Sequence, residues 1–263
     1  MPTRARSRTK SYPRRKLDED FRGYIDRNRA LLFGVTAGYV ALGVSASVLE
    51  LLLIGEQPYF LYALGFFHAV WIALAVGALT MIWLASSPDA INYLRGALGE
   101  DNTEDVLKAA RRTSIWGFVA GVTIDGGDID HLVVTRTGGV LAMDSKWRNE
   151  ASTETVQQMA DSARKSARRA EIVMRSETIG TLKRDSSARH RTQAPSYRVR
   201  PVVVMWGGTL RSMPDTHCVD DVEFVAGPTL KRWLRTLDGQ GVDEVAAKDL
   251  LARLTDFRAT VRV

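Results

Sequence analysis

Two apolar stretches separated by four residues constrain this chain more than any other feature. Residues 30–54 carry a single charged side chain, Glu50, and residues 59–84 carry no Asp, Glu, Lys or Arg. At about 1.5 Å of rise per residue, either stretch is long enough as a helix to cross a hydrocarbon core of about 30 Å. Gly55, Glu56, Gln57 and Pro58 between them leave room only for a tight turn, so a helical hairpin is expected with both chain ends on one side. Arg4, Arg6, Arg8, Lys10, Arg14, Arg15, Lys16, Arg22, Arg27 and Arg29 precede the hairpin, and its loop contains no Lys or Arg. The positive-inside rule then puts both ends in the cytoplasm. A cleaved signal peptide is the competing reading, but the first stretch is too long for one and a second follows directly. The expected organisation is a basic cytoplasmic segment (1–29), a transmembrane hairpin (30–85) and a soluble cytoplasmic domain (86–263), a multi-pass protein of the cell membrane.

Within the hairpin, Tyr59, Tyr62, Trp71 and Trp83 include candidates for interfacial anchors, and Gly34 and Gly38 form a GxxxG that would let a helix approach closely. Glu50 and His68 are the ionisable groups inside the spans; Glu50 is about one turn from the loop, and a neutral His68 is the simplest reading. A homo-oligomer is left open. The single cysteine, Cys218, excludes an intramolecular disulfide framework and a multi-cysteine zinc site. The formal charge of +6 suits a phosphate-bearing partner, although the N-terminal basic residues serve membrane topology equally well.

After the hairpin, Ser87, Pro88 and Asp89 read as a cap, a helix-compatible proline and an acidic first turn, opening a helix that runs to about 112. Ala97, Glu100, Glu104 and Leu107 share a stripe on it, which turns two carboxylates toward the domain. Three strands follow at 115–124, 129–135 and 140–147, separated by Asp125-Gly126-Gly127-Asp128 and Thr137-Gly138-Gly139. Val156, Ala160, Ala163, Ala167, Ala170 and Met174 then mark an amphipathic helix over 154–175. Residues 177–200 read as a polar, basic loop, 201–206 and 222–225 as strands, and 228–237 and 242–257 as closing helices.

Alternate residues of a strand share a face, so Asp144 and Lys146 point the same way with Ala142, as Asp130 does with Leu132 and Val134 on the strand before. If those strands are neighbours, Asp130 and Asp144 converge at one end of the sheet and Lys146 reaches over them. Two carboxylates and an amine in one pocket suit Mg²⁺, or Mn²⁺, which favour carboxylate and water oxygens and can activate water against a phosphodiester. Glu100, by its position on the preceding helix, would add a third carboxylate.

These residues resemble the nuclease-related domain (NERD) family, a branch of the restriction-endonuclease-like PD-(D/E)xK superfamily. Gly96-Ala97-Leu98-Gly99-Glu100 is similar to the family's glycine–glutamate helix motif, 128–134 to its aspartate strand, and 139–147 to its acid-x-lysine strand. The likeness covers roughly 95–175 and leaves the hairpin outside. It implies an α/β fold, a restriction-endonuclease-like mixed sheet flanked by helices, with metal on Asp130, Asp144 and Glu100 and with Lys146 acting on the attacking water. It also implies that Gln157 or Gln158, where the family carries a glutamine, joins the site. Ile129 stands where the superfamily's proline would be, and Asp144 reaches one methylene less far than the family's more usual glutamate. The function implied is divalent-metal-dependent hydrolysis of phosphodiester bonds, with DNA favoured as the nucleic acid.

Taken alone, a D-x-K triplet is common and usually marks a solvated strand end. The ordered set of motifs around it is what makes the nuclease reading specific. The alternative is a catalytically inactive, membrane-tethered module that binds nucleic acid or protein; a third is a lipid-organising hairpin. His131 falls on the strand face opposite Asp130, which suits packing, and Asp128 is a substitute carboxylate or a turn residue. Arg164, Lys165, Arg168, Arg169 and Arg175 offer a phosphate-binding surface or a solvated helix face, and Trp147 and Trp206 read as core or rim aromatics.

Overall fold

The computed structural model describes residues 12–54, 58–124, 127–184 and 197–260. They form two compact units, one of residues 13–94 and one that contains residues 95–260.

The first unit holds α1 (Tyr12–Arg27), α2 (Arg29–Ile54), α3 (Pro58–Ser86) and the opening turns of α4 (Pro88–Ala110). The expected turn at 55–57 lies outside the described residues. Segments Arg29–Glu50 and Tyr62–Ser86 are long and apolar enough to cross a membrane, with 6% of either window buried. α2 and α3 run antiparallel and are clasped by polar contacts. Tyr39 donates its hydroxyl to the Trp71 carbonyl at 2.7 Å while the two rings stack, and Ser47 meets His68 Nε2 at 2.8 Å. His68 Nδ1 lies 2.7 Å from the Leu64 carbonyl, so both ring nitrogens of this half-buried side chain have partners. Gly43 is where the helices close, since a Cβ there would stand 3.0 Å from Trp71; beside Gly34 and Gly38 there is nothing within 4 Å. The GxxxG pair therefore takes no part in the contact between α2 and α3.

Helix α1 is not apparent in the charge-dominated N-terminal segment. Its apolar stripe is only Leu17, Phe21 and Tyr24, spaced four and three, and it finds a partner in Trp83: Phe21 meets that ring edge-on at 4.9 Å and Asp20 accepts from its Nε1 at 3.1 Å.

In the second unit β1 (115–124), β2 (127–135), β3 (140–147), β4 (199–206), β5 (216–219) and β6 (222–226) form a six-stranded mixed sheet of order β1-β2-β3-β4-β6-β5. β1 (Ile115–Ile124), β2 (Gly127–Thr135) and β3 (Val140–Trp147) form the expected antiparallel meander. The tight β2–β3 turn depends on Gly139, whose φ of +77° is costly for other residues. Helix α5 (Thr153–Arg184) crosses over to β4 (Val199–Trp206), which is parallel to β3 and to β6 (Val222–Ala226). α6 (Leu230–Thr236) and α7 (Glu244–Thr260) complete the domain. Alternation along the strands sorts the core into two layers. Val140, Ala142, Leu132 and Val134 face α5 and α7, while Leu141, Met143, Val202 and Val204 face α4 and α6. Each fully buried aliphatic side chain contributes about 1.5–3 kcal/mol, so β3 and β4, covered on both faces, hold the domain together.

Three expectations need correction. α5 continues to Arg184 where a basic loop from 177 is expected; the residues there include good helix formers, and extending an existing helix needs no new nucleus. The remainder of that loop, 185–196, lies outside the described residues. β4 starts at Val199, placing Pro201 inside a central strand; its missing N–H is tolerated because the β4–β6 ladder begins only at Val202. β5 (Thr216–Val219) is an additional edge strand, joined to β6 by Asp220 and Asp221 at φ +47° and +65°. That Asp-Asp pair between two valines is the hairpin signal in the sequence.

Candidate active site at the end of strand β3

Asp144, Ser145 and Lys146 precede Trp147 at the end of β3, where the alternation that buries the strand's first half carries polar groups. Asp144 and Lys146 continue the row of Val140 and Ala142 on the α5 side; Ser145 continues the row of Leu141 and Met143 on the α4 side. The β2–β3 ladder ends at His131↔Met143, and one further step on each strand sets Asp130 opposite Asp144. There Asp130 Oδ2 accepts from the Ser145 backbone N–H at 2.7 Å, and Lys146 Nζ lies 2.8 Å from Asp144 Oδ1. The side chains of Asp144 and Lys146 are 13% and 30% exposed, so the pair is sheltered yet reachable from solvent.

Glu100 arrives from α4 in the opposite helical layer. Its turn lies over the strand ends, because the neighbouring Gly99 packs against the Trp147 backbone and the Trp206 ring. Burial raises the Asp130 pKa well above the usual carboxylate range, and the charges of Asp144 and Glu100 raise it further, against opposing contributions from Lys146 and the Ser145 N–H. For Lys146 burial acts downward, but Asp144 and Asp130 outweigh it and hold the ammonium above the ordinary lysine value. Lys146 is thus a stable cation suited to donating hydrogen bonds and steadying negative charge, and poorly suited to removing a proton.

The donor chemistry fits a hard divalent cation: half-buried carboxylates that repel one another, with a cation beside them. The geometry is less closed. Among the described residues no three His, Cys, Asp or Glu side chains stand grouped to hold a metal ion. One oxygen of Asp130 is taken by the Ser145 N–H and one of Asp144 by Lys146, which leaves a two-carboxylate arrangement. Mg²⁺ commonly uses one or two carboxylates and keeps water for the rest. Asp130 and Asp144 would hold it, with Glu100 acting on the same charge.

The two glutamines are not brought to this cluster. Gln157 donates to Asp220 at 2.6 Å in the β5–β6 turn, and Gln158 reaches back to Glu154 at 3.4 Å. Asp128 pairs opposite Thr123 on the β1 side, past the end of the β2–β3 ladder. Of the arginines on α5, Arg164 pairs with Asp161 and Asp220, and Arg164 and Arg168 line a groove of about 700 Å³ with Arg198, Arg200, Glu171 and Glu223. That groove borders the start of β3 and β4, whereas Lys146 stands at the end of β3, so these arginines do not flank the carboxylates. Its four acidic residues balance its four arginines in charge. Trp206 is a rim aromatic whose Nε1 donates to Thr103 at 2.9 Å, and Ser145 donates its hydroxyl to the same Thr103 oxygen at 2.9 Å. Thr103 has no special signature in the sequence; its one cue is its place a turn beyond Glu100 on the inward side of α4.

His131 lies on the α4 side as expected, 2% exposed, edge-on to Phe118, and its Nδ1 lacks a partner. Burial lowers its pKa to about 4, against partial opposition from Glu104 and Asp144. Because the folded value lies below the unfolded one of about 6.5, its contribution is complete above pH 6.5 and is lost as pH falls toward 4, on the order of 3 kcal/mol in all. Asp130 titrates with the opposite sign in the same fold, so the comparison must be with a His131→Leu variant. Its melting temperature is expected to fall less steeply than that of the wild type between pH 6.5 and 4. Parallel pH profiles for the two proteins would show that His131 is not the group responsible.

Fold and site together define a mixed α/β domain with an acid–lysine cluster at the end of a central strand, following two helices long and apolar enough to cross a membrane. Compared with protein-family models, curated proteins and solved structures, the chain matches none.

Proposed function

We propose that this chain is a membrane-anchored, divalent-metal-dependent nuclease-like protein of the NERD type, with a restriction-endonuclease-like domain that hydrolyses phosphodiester bonds, DNA being the favoured substrate. The observation that carries the reading is the placement of Asp130 and the Asp144–Lys146 pair on one face at the end of adjacent strands. A bound Mg²⁺ or Mn²⁺ supplies charge neutralisation at the phosphate and a more acidic water. Asp144 keeps the Lys146 ammonium beside the carboxylates, where it would orient an attacking water or meet the charge on a non-bridging oxygen. Anchorage is supported by outward apolar side chains such as Phe33 and Phe66, 77% and 73% exposed on helices that need an apolar solvent. The basic residues before α2 orient both ends and the domain toward the cytoplasm.

Saturable Mn²⁺ binding by the detergent-solubilised full chain is expected, and it should vanish in Asp130→Ala protein. A second reading, a tethered module that retains the fold without the chemistry, is favoured by the lack of a grouped three-donor set among the described residues. Its signature is DNA binding that weakens steeply with salt and needs no metal. Wild-type protein that binds DNA this way but never takes up Mn²⁺ would remove the nuclease reading in favour of the module.

A further inference from the structure

Ser145 holds two elements at once. Its backbone N–H donates to Asp130 on β2, while its hydroxyl crosses to the other face of the sheet and donates to Thr103 Oγ1 on α4. Thr103 in turn donates to the Gly99 carbonyl at 2.9 Å and accepts from Trp206 Nε1 at 2.9 Å. A threonine hydroxyl has one proton and two lone pairs, so all three positions are filled, and Thr103 is fully buried. Gly99 immediately precedes Glu100. A continuous path of buried or half-buried bonds therefore runs from the Asp130 carboxylate through the residue between Asp144 and Lys146 to the helical turn that presents Glu100.

We infer that Thr103 is a positioning residue that sets Glu100 against Asp130 and Asp144, and so tunes the affinity of this cluster for a divalent cation. The inference rests on the metal-dependent reading above. Hydrogen-bonded groups behind metal ligands fix the ligands' orientation, and their loss commonly weakens metal binding about 10- to 100-fold. Thr103, one turn along the same helix from Glu100, has two contacts to the strand ends.

The test is Mn²⁺ titration of the full chain in detergent, with Thr103→Val, Thr103→Ser, Glu100→Gln and the Thr103→Val/Glu100→Gln double variant. Thr103→Val is nearly isosteric and removes all three bonds; it is expected to weaken Mn²⁺ about 10- to 100-fold, and Thr103→Ser to restore wild-type affinity. Because Thr103 acts through Glu100, the double variant should bind no more weakly than Glu100→Gln alone. Should Thr103→Val fail to fold by circular dichroism, Ser145→Ala, which keeps the backbone bond to Asp130, is expected to weaken Mn²⁺ in the same direction. Wild-type affinity in the folded variant, or fully additive losses, would overturn the role given to Thr103 while leaving metal binding intact. Wild-type protein without saturable Mn²⁺ binding overturns the metal-dependent reading and this inference together.

Discussion

Lys146→Ala protein, assayed as the full chain with Mg²⁺ or Mn²⁺ on DNA, is expected to cleave about 10²- to 10³-fold more slowly than the wild type, the loss typical of removing one preorganised donor from a developing negative charge. The ammonium is anchored 2.8 Å from Asp144 and held above the usual lysine pKa, so in the wild type it is charged throughout the neutral range. Lys146→Arg keeps the charge but spreads it over a planar group that cannot occupy the same point, and an intermediate rate is expected. The variants should still bind Mn²⁺, because Asp130 and Asp144 remain. Equal cleavage by wild type and Lys146→Ala would defeat the assignment of Lys146, whatever the metal does.

The largest stability effect is expected at Gly207, just past the end of β4. Its φ of +93° with ψ of −158° lies in a region essentially closed to residues with a side chain. A Cβ there would also stand 2.5 Å from the Arg148 carbonyl oxygen, which accepts from both the Thr209 N–H at 3.1 Å and the Thr209 hydroxyl at 2.8 Å. Neither backbone segment can give way without breaking the parallel β3–β4 register that carries Lys146. Gly207→Ala is therefore expected to cost about 3 kcal/mol or more, lowering the melting temperature of the sheet domain by roughly 6–12 °C. Gly239 separates the two causes: its φ is +111°, but nothing lies within 4 Å of its Cβ position. Gly239→Ala should show the dihedral strain alone, about 1–3 kcal/mol at most. If circular dichroism melts find Gly207→Ala no less stable than Gly239→Ala, the backbone clash carries no weight.

Local patterns made most of the second unit legible. The meander of β1, β2 and β3 stood out because period-two alternation was bounded by Gly-rich turns, and α5 because its alanines recur at helical spacing. β5 has no legible strand signal because four residues with two half-buried positions carry little pattern of their own; pairing with β6 is what makes Thr216–Val219 a strand. Helix α1 is illegible for a similar reason, since the stripe of Leu17, Phe21 and Tyr24 counts only once Trp83 is there to receive it. At the site, parity along the strands put Asp130, Asp144 and Lys146 on one face. It said nothing of the glutamines, whose partners Asp220 and Glu154 draw them elsewhere.

From the residues alone came the properties that depend on neighbours along the chain: two helices long and apolar enough for a membrane, the charge asymmetry before them, and the face each strand residue takes. Long-range contact decided the rest. A hydrogen bond between Ser145 and Thr103 joins residues 42 apart, and the electrostatics of Asp130 arise from burial and from charges on two other elements. Such terms have no local signature, because desolvation and hydrogen-bond geometry exist only after the sheet and its helical layers have closed around the group.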